Sequence, residues 1–146
     1  MSATILGTSS SVGRAAADVP SRRARIAGWI LTGIAALFMA FDAGIKLIGS
    51  KQAVDGSVQL GYQPHHVPII GAIALVCLIV YLIPRTAPIG AILWTGYFGG
   101  AIASQLRVDN PLFSYTLFPI YVSALVWGAL YLRDDRVRNL LRPARS

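Results

Sequence analysis

Several side chains that could do chemistry are concentrated near one end of the chain's long apolar segments. Asp42 lies about six residues before the end of the first segment, and Lys46 follows at the i+4 position on the same helix face. Gln105 and Arg107 end the third apolar segment, and Tyr115 begins the fourth. Ionisable groups within a membrane segment are costly unless they pair or face a cavity. These side chains therefore predict an ion-pair cluster or a polar pocket at this end.

The polar connection between the first two segments adds Tyr62 and His65 at the same end. In a structural interpretation, Asp42 pairs with Lys46 or with Arg107 and ties helix ends together, while the lysine extends towards water. In a functional interpretation, Lys46 and Arg107 donate hydrogen bonds to a ligand head group, such as a quinone ring or a small anion or acid. The candidate ligand-binding residues are Asp42, Lys46, Tyr62, His65, Gln105, Arg107 and Tyr115.

The residue pattern does not indicate metal, haem or self-contained catalytic chemistry. His65 and His66 are adjacent, so their side chains tend to project to different sides, and no Cys, His or carboxylate set has metal-ligand spacing. Cys77 is the single cysteine, which excludes an intramolecular disulfide and a CxxC redox motif. No phosphate loop, nucleophile elbow or catalytic carboxylate pair is present. We expect no catalytic residue, no metal and no intrinsic cofactor, so a redox role would require a bound quinone or a partner protein.

The composition is typical of a membrane protein. Of 146 residues, 55% are hydrophobic and 13% are charged, whereas an average soluble domain has about 25% charged residues. The net charge of +7 does not indicate a nucleic-acid-binding surface, because the basic residues flank apolar segments instead of lining a groove. A chain of this length has room for one domain.

Two apolar runs define the architecture. They comprise residues 67–83 and 87–103, and only Pro84, Arg85 and Thr86 separate them. Each run contains 17 residues without a charged side chain. At about 1.5 Å per residue, such a helix is roughly 25 Å long, close to the ~30 Å hydrocarbon core of a bilayer. Because a three-residue link cannot cross a bilayer, the two helices must be antiparallel neighbours. We interpret the pair as a membrane hairpin.

The complete pattern predicts an all-α fold, a transmembrane four-helix bundle. The predicted segments are a disordered basic tail (1–25), four spans (26–48, 67–83, 87–105 and 112–132) and a charged cytoplasmic tail (133–146). With four spans, ten of the 13 basic residues lie on the side of the two termini, and Lys46, Lys51 and Arg107 lie on the other side. The positive-inside rule then places both the N- and C-termini in the cytoplasm.

Small residues indicate where the spans pack closely, since helices in lipid associate through close contact. Gly96, Gly100 and Ser104 form such a face on the third span, and candidate partners are Gly71 on the second span and Gly33 on the first. The fourth span is expected to bend near its internal proline. Trp94 and Tyr97 of the third span are expected to pack between helices.

Short motifs follow one another in a specific order from the first span to the C-terminal tail. They are Gly28-Trp29, Lys46-Leu47, Leu60-Gly61-Tyr62, the segments 81–86, 90–93 and 95–101, Leu106-Arg107-Val108, Pro111-Leu112-Phe113, Leu117-Phe118-Pro119 and Tyr131-Leu132-Arg133-Asp134. In order and spacing they resemble the DoxX-like family of small four-helix bacterial integral membrane proteins. The resemblance covers about residues 26–141.

The resemblance implies a protein of the bacterial cytoplasmic (inner) membrane. Family members are associated with membrane oxidoreductase systems, including a thiosulfate–quinone oxidoreductase subunit, whereas distant relatives resemble assembly or trafficking factors. Close relatives are expected to carry histidines where this chain has Gln105 and Tyr115, and some are expected to carry a glutamate in place of Ala74. These departures remove titratable groups and disfavour proton-coupled chemistry at the site.

Three hypotheses for function follow. The first is a non-catalytic or quinone-interacting membrane subunit associated with a redox system. The second is an assembly or interaction protein that docks another membrane protein. The third is a small-molecule binder or transporter that uses the polar pocket. The expected partners are the lipid bilayer and a membrane or redox protein, and nucleic acid is not among them.

Overall fold

The computed structural model describes residues 21–142, and every regular element within this range is helical. In chain order the α-helices are α1 (Arg22–Leu47), α2 (Lys51–Gln59), α3 (Val67–Leu82), α4 (Ala87–Arg107), α5 (Phe118–Arg133) and α6 (Asp135–Leu141). A 3₁₀ turn (Pro64–His66) precedes α3, and a π-helical turn (Leu112–Thr116) precedes α5. Most of the predicted disordered tail and the last four residues lie outside the described range.

Helix α1 begins at Arg22, whereas the sequence predicted the first span from residue 26. The hydroxyl of Ser21 accepts a hydrogen bond from the backbone N–H of Ala24 at 3.3 Å and caps the helix. Arg22, Arg23 and Arg25, which were assigned to the tail, therefore belong to the first helical turn.

The polar connection between α1 and α3 contains a helix that the sequence analysis did not predict. Gly49, with φ of +62°, lets the chain turn, and the Ser50 hydroxyl caps α2 by accepting from the Ala53 N–H at 3.3 Å. Helix α2 contacts both α1 and α3, and Ala53 and Ser57 are its buried residues. The connection therefore folds back onto the ends of the long helices.

Helices α3 and α4 are joined by a tight turn, as the hairpin interpretation predicted. In the turn, the Thr86 hydroxyl donates to the carbonyl of Val80 at 2.8 Å. Pro88 lies in the first turn of α4, where its missing N–H costs little. Gly90 lies directly against the backbone of Tyr81, so a Cβ at this position would overlap with it. Glycine therefore permits the close approach of the two helices.

Each of the four long helices contacts two others, since α1 and α4 both pack against α3 and α5. The core between them combines small and aromatic side chains, including Ala35, Met39, Tyr81, Trp94 and Val126. Trp94 is 1% exposed, as expected for a side chain packed between helices.

The glycines that make close helix contacts are only partly those that the sequence predicted. A Cβ on Gly71 of α3 would lie 2.7 Å from the backbone nitrogen of Leu47 on α1, so Gly71 is a contact glycine. At Gly33, Gly96 and Gly100, a Cβ would meet no atom within 4 Å. The predicted packing face of α4 is therefore open. The spacing of small residues does not reveal which face of a helix meets a neighbour.

The predicted fourth span is interrupted at Leu117, next to Phe118 and Pro119, where the sequence predicted a bend. In the π-helical turn, the Leu117 N–H donates to the Leu112 carbonyl at 2.9 Å, five residues back. Helix α5 then begins at Phe118 with Pro119 in its first turn. The proline starts a new helix here instead of bending an existing one, because its missing N–H is harmless only at a helix start.

Three segments of the described chain are long and apolar enough to cross a membrane, namely Arg22–Leu47, Pro64–Leu82 and Leu112–Arg133. Helix α4, the predicted third span, is not among them, because glycines and polar residues such as Ser104 and Gln105 lower its apolar content. Large apolar side chains cover the outer surface of the long helices, with Leu37 75% and Ile92 60% exposed. Such a surface suits lipid better than water.

Candidate functional site

A cavity of about 430 Å³ lies between α1, α4 and the beginning of α5, and we call it the aromatic cavity. Its volume is within the ~300–1,000 Å³ typical of ligand pockets. Its aromatic lining residues are Phe38, Tyr97, Phe98, Tyr115 and Phe118. The predicted site residues that line it are Asp42, Lys46, Gln105 and Tyr115. The structure thus brings four of the seven candidate residues to one cavity.

Phe38 of α1 and Phe118 of α5 close one side of the aromatic cavity. Their rings meet edge to face, with centroids 5.4 Å apart. Both side chains also reach the outer surface, where they are 41% and 44% exposed. The two rings therefore form a wall between the cavity and the surroundings of the helices.

The polar wall of the aromatic cavity consists of three side chains from two helices. Asp42 and Lys46 of α1 form an ion pair with an N–O distance of 2.5 Å. The Lys46 ammonium also donates to the hydroxyl oxygen of Tyr97 on α4 at 3.0 Å. The Lys46 and Asp42 side chains are 19% and 31% exposed, so the two charges are shielded from water but not sealed. Of the two predicted ion pairs, the structure forms Asp42–Lys46.

Two donor protons on this wall have no acceptor within residues 21–142. A lysine ammonium carries three protons, and Asp42 and Tyr97 accept two of those of Lys46. The Tyr97 hydroxyl accepts from Lys46, and its own proton has no acceptor among the described residues. Both protons are therefore available to an acceptor oxygen of a molecule in the cavity.

Tyr97 is a site residue that the sequence analysis did not identify. It was expected to pack between helices, because it lies deep in an apolar segment. Its contact with Lys46 joins positions 51 residues apart, so no local pattern encodes it. A weaker signal was present, since Tyr97, Ala101 and Gln105 recur at four-residue spacing and share one face of α4.

Gln105 and Tyr115 line the end of the aromatic cavity near the π-helical turn. The side-chain oxygen of Gln105 accepts a hydrogen bond from the side-chain amide of Asn110, and this bond fixes the turn after α4. Thr116 extends this network by donating to the Asn110 carbonyl at 3.3 Å. Tyr115 projects from the same turn and is 60% exposed. Both candidates are therefore positioned by the turn between α4 and α5.

A second cavity of about 260 Å³ lies between α3, α4 and the segment that follows α2, and we call it the glycine groove. Gly96 and Gly100 line it from α4, and Ile70 and Ile73 line it from α3. Tyr62 and Ser104 also line the groove, at its loop end. Their hydroxyl groups form a hydrogen bond of 2.6 Å. The predicted site residue Tyr62 thus belongs to this second cavity.

Arg107 lies outside both cavities. Its guanidinium donates to the backbone carbonyl of Leu60 at 2.5 Å. Gly61 follows with φ of +86°, and a Cβ there would collide with the Arg107 guanidinium. Arg107 therefore holds the segment after α2 in place instead of pairing with Asp42 or donating into the aromatic cavity. Since Leu60 lines both cavities, this contact fixes a shared part of their walls.

His65 also lies away from both cavities. It is exposed on the 3₁₀ turn, with its ring centroid 4.1 Å from that of His66. In the described part of the chain, no group of three or more His, Cys, Asp or Glu side chains could hold a metal ion. The structure therefore does not bring the histidine candidate to the site.

At the opposite end of the molecule, α6 is fastened to the turn between α3 and α4. The Arg136 guanidinium donates to the carbonyls of Pro84 at 2.5 Å and Arg85 at 3.2 Å. Asp134 caps α6 by accepting from the Arg136 N–H at 2.9 Å, and its other oxygen pairs with the guanidinium. Partial burial raises the pKa of Asp134, but the hydrogen bonds and charge of Arg136 outweigh it and hold that pKa below its usual value.

The model of the DoxX-like family matches residues 30–129, which include α2, α3 and α4 completely and most of α1 and α5. The comparison with curated proteins finds no match. The comparison with solved structures also finds no match. The family match and the three apolar segments together identify an integral membrane protein whose helices contact lipid.

Proposed function

Because this chain belongs to the DoxX-like family, we propose that it is a quinone-interacting membrane subunit of a redox system in the bacterial cytoplasmic membrane. Its four long helices form a transmembrane four-helix bundle with both termini in the cytoplasm. The observation that carries the proposal is the aromatic cavity, in which two unused protons on Lys46 and Tyr97 meet five aromatic side chains.

The lining of the aromatic cavity suits a quinone ring. A quinone presents a flat ring with acceptor oxygens at opposite edges and no donor of its own. Aromatic side chains favour offset or edge-to-face contact with such a ring. The Lys46 ammonium and the Tyr97 hydroxyl supply donors for one quinone oxygen, and Asp42 keeps the lysine charge paired.

The proposed role is binding and positioning, without catalysis by this chain alone. The candidate positions Gln105 and Tyr115 carry an amide and a phenol where close relatives are expected to carry histidines, and the sequence contains no redox motif of its own. Electrons would therefore come from a partner protein, and this subunit would hold the quinone within the partner's reach.

The distribution of basic residues supports the proposed orientation. Arg85 in the turn between α3 and α4, and Arg133 and Arg136 near the C-terminal end, lie at the same end of the molecule as the start of α1. Basic residues near the ends of membrane helices favour the cytoplasmic side. The aromatic cavity then lies in the outer half of the membrane.

The test is to purify the protein in mild detergent and to identify co-extracted quinone by absorbance and mass spectrometry. Affinity is then measured for the wild type, for Tyr97→Phe and for the matched control Tyr121→Phe, a tyrosine that lines neither cavity. Tyr97→Phe should weaken binding roughly 2- to 12-fold, the effect of losing one hydrogen bond of about 0.5–1.5 kcal/mol. Tyr121→Phe should bind as the wild type does.

Two results would overturn this proposal. One is a purified, folded protein that neither carries quinone nor binds it when it is added. The other is quinone binding that Tyr97→Phe leaves unchanged. If quinone is absent but a membrane protein co-purifies stably, the assembly hypothesis replaces the redox one. Binding of a small organic acid in place of quinone would instead identify a small-molecule binder or transporter.

A further inference from the structure

We propose that the glycine groove binds the hydrocarbon chain of the same molecule whose ring occupies the aromatic cavity. The ligand class is then a chain-bearing amphiphile, such as a prenylated quinone, and not a small polar acid. This inference rests on the proposed function and assigns a second compartment to its site.

The first argument is that the two cavities share part of their lining. Lys46, Leu60, Tyr97 and Ala101 line both of them. The polar pair of Lys46 and Tyr97 therefore lies at the junction, with the aromatic cavity on one side and the glycine groove on the other. A head group that accepts a hydrogen bond at this junction has one compartment for its ring and another for its substituent.

The second argument is the chemistry of the groove. Ile70 and Ile73 offer branched apolar surface from α3, and Gly96 and Gly100 leave the facing surface of α4 without side chains. The hydroxyl groups of Tyr62 and Ser104 bond to each other, so they satisfy one another at the loop end. This surface between α3 and α4 favours a hydrocarbon chain, because the two isoleucines and two glycines offer no side-chain partner to a polar substituent. The polar lining residues of the groove are Lys46 and Tyr97 at the border with the aromatic cavity, and Ser57, Tyr62 and Ser104.

The third argument is the size of the groove. Its volume of about 260 Å³ is smaller than that of the aromatic cavity and lies below the ~300–1,000 Å³ typical of complete ligand pockets. The groove therefore suits a chain substituent better than a second complete ligand.

The open backbone of α4 provides a direct way to fill the groove. A side chain added at Gly96 or Gly100 meets no atom within 4 Å of its Cβ, so a substitution there occupies space without forcing helices apart. Gly99 is a matched control, since its Cβ would also meet nothing within 4 Å but Gly99 lines neither cavity. Gly100→Leu and Gly99→Leu add the same apolar side chain one position apart.

The experiment measures the affinity of two probes for the purified full-length protein in detergent. One probe is a benzoquinone that carries a ten-carbon chain, and the other has the same ring with a methyl group in place of the chain. Variant affinities are expressed relative to the wild type for each probe, which cancels the different partitioning of the probes into micelles. Gly100→Leu should weaken the chain-bearing probe about tenfold or more and change the short probe less than twofold. Gly99→Leu should change neither.

A second variant covers the case in which Gly100→Leu does not fold. Ile73→Trp fills the groove from α3 and leaves α4 untouched, and its folding is checked by the thermal midpoint. It should discriminate between the probes in the same direction. Loss of affinity for the chain-bearing probe alone, in either folded variant, supports the chain compartment.

The outcomes separate this inference from the proposed function. If the wild type binds both probes and neither filled variant discriminates between them, the chain compartment is wrong and the quinone site stands. Equal weakening of both probes also overturns the chain compartment, since the substitution then acts on the ring. If the wild type binds neither probe, the proposed function itself fails.

Discussion

At the scale of single residues, Lys46 is the centre of the candidate site. Its pairing with Asp42 was one of two alternatives in the sequence, because acid and base at i and i+4 share a helix face. Its contact with Tyr97 was not predictable, since it depends on how α1 and α4 approach each other. The sequence thus identified the charged residues of the site, and the fold supplied their third partner and excluded Arg107.

The ion pair can be tested by double-mutant cycles. Asp42→Ala leaves the shielded Lys46 charge unpaired, so it should lower the free energy of unfolding by roughly 1–2 kcal/mol, less than for a fully buried pair. The effects of Asp42→Ala and Lys46→Ala should be strongly non-additive, because each removes the same interaction. Those of Asp42→Ala and Arg107→Ala should add. Thermal or denaturant unfolding in detergent measures all three, and coupling between Asp42 and Arg107 would contradict the structure.

At the scale of helices, the sequence predicted the long elements better than the short ones. Long apolar runs and prolines located α1, α3 and α4 to within four residues, whereas α5 begins at Phe118, six residues after the predicted start of the fourth span. Helices α2 and α6 were read as polar connection and tail, because they are short and their apolar residues are few. The contacts between helices were harder to predict. Gly71 is a contact glycine, but it packs against α1 and not against the expected face of α4, which is open at Gly96 and Gly100.

Close packing of α1 and α3 predicts opposite effects for two glycine substitutions. At Gly71, a methyl group would lie 2.7 Å from the Leu47 nitrogen and 3.0 Å from the Ala43 carbonyl oxygen, so α1 and α3 must separate. Gly71→Ala should therefore destabilise the protein by about 1–3 kcal/mol. Gly33→Ala adds the same methyl group in open space and should be neutral or slightly stabilising. Equal thermal midpoints for the two variants would contradict the packing of α1 on α3.

The attachment of α6 predicts a loss of stability in acid. The pKa of Asp134 is lower in the folded protein than its ordinary value of 3.8. A carboxyl group of this kind stabilises the fold above its unfolded-state pKa, and this contribution disappears as the pH falls through the folded-state pKa. Asp134→Asn should therefore have a lower thermal midpoint than the wild type at pH 6, and the difference should shrink below about pH 4. A difference that stays constant between pH 6 and pH 3 would argue against the Asp134–Arg136 contact.

At the scale of the whole molecule, the number of spans decides the orientation of the site. Three segments are long and apolar enough to cross a membrane, and α4 falls short because of its glycines and polar residues. Two of these glycines, Gly96 and Gly100, line the glycine groove. In the proposed four-span topology, these positions of α4 would face the proposed binding site instead of lipid.

Thiol labelling tests the proposed topology. Cys77 is buried, so it does not interfere with exposed cysteines introduced at Gln52 in α2 and at Asn139 in α6. With four spans, a membrane-impermeant maleimide should label Gln52→Cys in intact spheroplasts and Asn139→Cys only after permeabilisation. Labelling of both variants on the same side would mean that α4 does not cross the membrane. The reverse pattern would invert the orientation.

The wall formed by Phe38 and Phe118 has a consequence for the rate at which a bound molecule is exchanged. Displacement of packed helices takes microseconds or longer, whereas exposed side chains change rotamer within picoseconds to nanoseconds. A molecule that entered from this side would displace the Phe38 and Phe118 rings, which is a side-chain motion and not a helix motion. For the proposed quinone, exchange by this route would then be limited by the affinity of the cavity and by two-dimensional diffusion in the bilayer.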